Sequence, residues 1–172
     1  MGTIHRIPIH ALLITTALFA ALGAAEGQTP ASGNAERGAA IFAAKGGCVA
    51  CHRVRDKGSR LGPDLTEIGS TRQPDELRKA ILDPSPEVQL QNRTYRVVTK
   101  DGTAVSGKLL NQGATSIQML DSKERLVSFQ KSSLAEYKFV DTAPMPSYRN
   151  KLSSGEIEDV VAYLSQMKGV SQ

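Results

Sequence analysis

Five residues, Cys48-Val49-Ala50-Cys51-His52, constrain this chain more than any other stretch. Two cysteines separated by two residues, with a histidine directly after the second, form the signature at which haem is attached. Each thiol can add to one vinyl group, and the histidine then binds the iron from one face. Two other chemistries use paired cysteines. A zinc site needs four ligands, yet beyond the N-terminal segment the chain has no cysteine except these two and no histidine except His52. A redox dithiol belongs in a βαβ setting, which the flanking residues do not supply. The expectation is one haem c, covalently bound through Cys48 and Cys51, with His52 on the metal.

Paired thiols spent on haem leave none for a disulfide, and the N-terminus points to export. Arg6 and two histidines precede an apolar run from Ala11 to Leu22, and Gly23-Ala24-Ala25 offers small residues for cleavage after Ala25. Residues 1–25 read as a signal peptide and the destination as the periplasm. An uncleaved membrane anchor is the alternative, since Ile7 to Ala25 is nearly long enough to span, but Pro8 and His10 disfavour it. No other apolar run approaches that length, so no membrane span is expected in the mature chain. Loss of Arg6 takes the formal net charge from +4 to +3, and two haem propionates lower it further. A charge that small leaves no footprint for nucleic acid.

Residues 26–33 are small and polar and read as a flexible lead. Asn34 is a good N-cap for a helix that Gly46-Gly47 stops. Residues 53–60 are charged and turn-like. In Gly62-Pro63 the proline carbonyl is free to accept from the ring N–H of a nearby histidine, or the pair is an ordinary turn. Pro74 to Leu82 predicts a second helix, ended by Asp83-Pro84. Beyond Asn92 the period becomes two. Strands are expected at Tyr95 to Thr99, Ala104 to Leu110, Ser116 to Leu120, Leu126 to Gln130 and Glu136 to Val140, as a small antiparallel sheet or partly closed barrel, with Tyr95, Phe129, Tyr137 and Phe139 forming its core. A final helix starts from the capping box Ser153/Glu156, with Ile157, Val160, Val161, Leu164 and Met167 as its apolar stripe.

The sixth iron ligand decides the chemistry. With His5 and His10 removed by cleavage, methionine is the natural soft candidate, and Met119, Met145 and Met167 remain. Met119 and Met167 fall on apolar stripes, where packing is the default. Met145 stands in Ala143-Pro144-Met145-Pro146, a loop stiffened by its flanking prolines, and is the favoured ligand.

Residues Asn34 to Phe42, Cys48 to His52, Gly62 to Leu65, Met145 and the helix after Ser153 together resemble class I cytochrome c. The resemblance implies a close contact between the first and last helices at Gly38 and Tyr163. It also implies Pro63 as the carbonyl partner of the haem histidine, Leu65 beside it among the cofactor-binding residues, and Arg72 as a partner for a propionate. A closer resemblance, through Gly62 to Gly69, Ala80 to Ser85, Asp101-Gly102, Gly107 and Met145-Pro146, is to a bacterial haem-binding domain often fused to propeller-type dehydrogenase-like proteins. Such domains carry extra sequence between the central helix and the axial methionine, which here is the β segment. The fold expected is a mainly α cytochrome c fold, residues 34–91 plus 141–172, with an inserted small antiparallel β-sheet or barrel at 92–140, α+β overall. No propeller is present, so the partner is expected to be a separate chain or absent.

The expected function is a periplasmic one-electron carrier, not an enzyme, which accepts from a dehydrogenase donor and passes to a terminal acceptor. Its working part would be an exposed haem edge near the attachment turn, where Lys45, Arg53, Arg55, Lys57 and Arg60 could steer an acidic partner. The alternative is a haem-based redox or gas sensor, or an adaptor, whose β insertion binds a partner protein. A peroxidase would need an open iron position and a distal base, and no mature histidine can serve.

Overall fold

Local signals start each helix. The computed structural model describes residues 1–2, 32–84, 89–141 and 143–169, so the expected signal segment after its first two residues, its cleavage point and most of the flexible lead lie outside the described residues. In α1 (Ala35–Ala43) the Asn34 side chain accepts from the Arg37 N–H at 2.9 Å, which satisfies one of the otherwise unpaired first-turn donors. α2 (Ile68–Thr71) is a single turn. In α3 (Pro74–Leu82) proline occupies the first position, where its missing N–H costs nothing, and Glu76 takes the Gln73 N–H at 2.7 Å. α4 (Ser154–Ser165) opens on the reciprocal Ser153/Glu156 box.

The helical core gathers Phe42 of α1, Leu77 and Ile81 of α3, the Tyr148–Leu152 segment, and Ile157, Val160, Val161 and Leu164 of α4. The close helix contact implied at Gly38 is present. A Cβ on Gly38 would lie 1.9 Å from the Asp159 carbonyl oxygen and 2.9 Å from Tyr163 Cβ, and the Phe42 and Tyr163 rings stack tilted with centroids 5.5 Å apart. Beside it Arg37 Nε and Nη2 grip the buried Asp159 carboxylate at 2.8 and 2.9 Å. Arg78 ties α3 to α4 through Glu158 at 2.5 and 2.7 Å.

The strands form two antiparallel sheets among the described residues. β1 (Arg53–Val54) and β2 (Lys57–Gly58) make a short hairpin where only a turn was expected. β3 (Tyr95–Thr99), β4 (Ala104–Gln112), β5 (Ser116–Asp121), β6 (Leu126–Gln130) and β7 (Leu134–Phe139) form a sheet in the order β6-β5-β4-β3-β7. Its strand order leaves β6 and β7 as edges, so it is an open sheet and not a closed barrel. Val97, Ile117 and Met119 are 0% exposed on one face, packed against Tyr95, Leu134, Phe129 and Phe139.

Strand residues are about as many as helical ones, so the architecture is mixed α+β, as expected for the chain overall. Several details need correction. β4 runs two residues past Leu110, and the last strand begins at Leu134 instead of Glu136. Tyr137, expected in the core, is 40% exposed with Lys131 over its ring, because it sits on β7, an edge strand with a neighbour on one side only. Gly33, assigned to the flexible lead, is packed: a Cβ there would fall 2.1 Å from the Glu158 carbonyl oxygen.

Candidate functional site: a haem-binding cleft

The site is built by the way the chain leaves α1. Gly46 N–H returns to the Ile41 carbonyl at 2.7 Å, and Gly47 adopts the left-handed conformation (φ 63°) that favours glycine. The chain then enters a 3₁₀ turn at Cys48–Ala50, closed by His52 N–H on the Cys48 carbonyl at 2.8 Å. Both cysteines are free thiols. The flanks are helix and turn, which is not the setting of a redox dithiol. Among the described residues no group of three or more His, Cys, Asp or Glu side chains could hold a metal ion.

The loop after His52 doubles back beneath the imidazole. Gly62 N–H donates to the Cys51 carbonyl at 2.6 Å and Leu65 N–H to the Arg53 carbonyl at 2.8 Å. A Cβ on Gly62 would sit 3.0 Å from His52 Cε1 and Nδ1, so the ring needs a glycine there. Pro63 consequently presents its carbonyl oxygen 2.9 Å from His52 Nδ1. Burial lowers the His52 pKa, opposed by the Pro63 hydrogen bond, and a nearby Lys108 ammonium lowers it further. Burial also pushes the Cys48 thiol upward.

Met145 reaches the same place from far along the chain. Its loop is anchored to the end of α3 by Ser147 Oγ on the Leu82 carbonyl (2.6 Å) and Tyr148 N–H on the Ile81 carbonyl (3.1 Å). It is anchored to the attachment turn by the buried Tyr148 hydroxyl, which donates to the Gly46 carbonyl at 2.8 Å. Burial pushes the Tyr148 pKa up to about 12, so the hydroxyl keeps its proton.

Two adjoining cavities share Cys48, His52, Pro63, Met145 and Tyr148 as walls. The larger is apolar, lined by Phe42, Leu65, Leu77, Ile81, Val160 and Leu164, with Arg72 at its margin. Arg72 makes an exposed ion pair with Glu76 at 3.5 Å. Met119 is sealed in the sheet and Met167 in the helical core, so of the candidate sulfurs only Met145 lines the cleft. The donor set suits haem: two thiols at one edge, an oriented imidazole, a thioether, and apolar walls between them.

The other cavity was not legible in the sequence. Its walls include Ser106, Gly107 and Lys108 of β4 and Ser122 after β5, facing Cys51 and Gly62. The inserted sheet thus borders the attachment side, which had been expected to stay open. The cationic patch expected there is largely neutralised as well: Lys45 pairs with Glu156 (2.6 Å), Arg53 with Asp64 (3.3 Å) and Arg60 with Glu124 (3.5 Å). Tyr148 was missed although it stands three residues after Met145. Lys108 gave no signal, because a lysine in an alternating strand reads as a solvated face.

No curated protein matches the chain. Residues 35–112 match the family model described as cytochrome c, a stretch that runs from α1 through the attachment turn, Pro63 and Arg72 into β4, and the match supports a c-type cytochrome, a haem-bearing electron carrier.

Proposed function

We propose that the chain is an exported, periplasmic one-electron carrier whose iron is held by His52 and Met145, taking electrons from a dehydrogenase and passing them to a terminal acceptor. The observation that carries this reading is that an oriented imidazole and a doubly anchored thioether line the same apolar cleft, beside two free thiols. Export rests on the N-terminal sequence pattern, and the dehydrogenase donor on the resemblance to domains fused to such proteins.

Haem, when bound, supplies an iron that cycles between ferric and ferrous states. The chain's own residues set the conditions. The Pro63 carbonyl has no proton to give, so it accepts from Nδ1–H and leaves the lone pair on Nε2 for the metal. Met145 would hold the iron together with His52, and a centre with both protein ligands supplied by the chain would favour electron transfer over ligand chemistry. Phe42, Leu77, Ile81, Val160 and Leu164 exclude water from the cleft, which lowers the local dielectric and the reorganisation that accompanies electron transfer. Among the described residues no helix is long and apolar enough to cross a membrane.

Carbon monoxide tests the reading. A ferrous protein with both axial positions filled from the chain leaves its spectrum unchanged under the gas. Rapid and complete binding would favour the second reading, a gas or redox sensor, for which the sheet's share in the cavity wall is the supporting observation.

A further inference from the structure

The sheet contributes one cation to the cleft. Lys108 stands in the middle of β4, opposite Leu120 of β5, and is half-buried. Its Nζ donates to the carbonyl oxygens of Arg60 (3.1 Å) and Gly62 (3.3 Å), which join sheet to attachment loop. The Arg60–Glu124 pair and the bond from Ser59 to Glu124 add a second fastening nearby. Both acceptors of Lys108 are neutral, so the ammonium charge is not cancelled where it is held. Asp64, a carboxylate within the electrostatic reach of Lys108, is already engaged by Thr66 and by Arg53 at 3.3 Å.

This charge lies close to the axial histidine. Gly62 immediately precedes Pro63, whose carbonyl orients His52, and the Gly62 backbone is pressed against the imidazole ring. Lys108 and His52 line one cavity.

Resting on haem being held at His52 as proposed above, we propose that Lys108 is a positioning residue for electron transfer: a fixed ammonium, presented by the inserted sheet and clamped to the attachment loop, that raises the reduction potential of the iron. Reduction adds one electron and no proton, and lowers the positive charge of the centre by one. A cation fixed beside it favours the less positive, ferrous state, and does so more strongly in a partly desolvated site than in water. The sheet therefore acts on the haem electrostatically as well as walling it.

The test is a potentiometric titration of the full chain carrying haem, for wild type, Lys108→Met, Lys108→Gln and Lys108→Arg. Gln retains a donor for the two carbonyls without the charge, and serves as the charge-removal variant should Met fail to fold. The expected result is a lower midpoint potential in Met and Gln, with Arg close to wild type. Unchanged potentials in Met and Gln, or a shift in Arg as large as in Gln, would overturn the proposal. The methionine-to-iron absorption of the same samples reports the sixth ligand separately, and the comparison of potentials stands whichever ligand it reports.

Discussion

The Pro63 carbonyl oxygen accepts a hydrogen bond from His52 Nδ1 at 2.9 Å, across eleven residues of chain that fold back beneath the ring. The acceptor is a backbone atom, so substitution of the side chain retains it. Pro63→Ala should therefore keep haem attachment and the sixth ligand, while costing about 0.4–1 kcal/mol of stability through a freer unfolded chain. Denaturant titration reads the loss, and the visible spectrum reads the retained ligation.

Gly38 admits no side chain. A Cβ would meet the Asp159 carbonyl at 1.9 Å, where backbone cannot yield cheaply. Gly38→Ala should lower the unfolding free energy by about 1–3 kcal/mol, the usual range for overpacking, and depress the thermal midpoint.

Tyr148 joins the methionine loop to the attachment turn by one buried hydrogen bond to Gly46. Tyr148→Phe preserves the ring and removes the bond. Equilibrium unfolding should register a loss of about 0.5–1.5 kcal/mol, with the loop more easily opened and carbon monoxide binding to the ferrous protein increased.

Arg37, and after it the Asn34 N–H, hold the Asp159 carboxyl below its ordinary value of 3.8. A group whose folded pKa is depressed lends stability that is fully present above its unfolded value and is lost as pH falls through the lowered one. Acid unfolding of wild type should therefore show a dependence below about pH 4 that is weaker in Asp159→Asn. An identical acid profile in the two proteins would remove Asp159 from the account.

Local chemistry explains which features could be read without coordinates. Proline at the start of α3 and Asp83-Pro84 at its end bound that helix to the residue, and the Ser153/Glu156 box does the same for the start of α4. Alternation marked β3 and β6, whose ends match those expected. Cys48, Cys51 and His52 were legible as candidate haem-attachment residues because their spacing is itself the chemistry. What escaped was tertiary. The β1–β2 hairpin depends on Arg55 and Gly58 adopting positive φ, α2 is a turn too short to show a period, and Lys108 matters only because β4 lies against a loop 46 residues earlier. The sequence singled out Met145 to complement His52, but not the contacts that bring it to the same cleft, which Tyr148 and Ser147 make by reaching back to two other segments.

The ligand set is the central claim, and absorption by the ferric protein tests it most directly. Wild type, with a mass equal to the processed chain plus one haem, should show the long-wavelength thioether-to-iron charge-transfer band. Met145→Ala should abolish it and lower the potential, while Met119→Ala, which empties a core position at a cost of about 2–5 kcal/mol, should retain it in the folded protein. A band that survives in Met145→Ala, or is absent from wild type, would contradict the assignment.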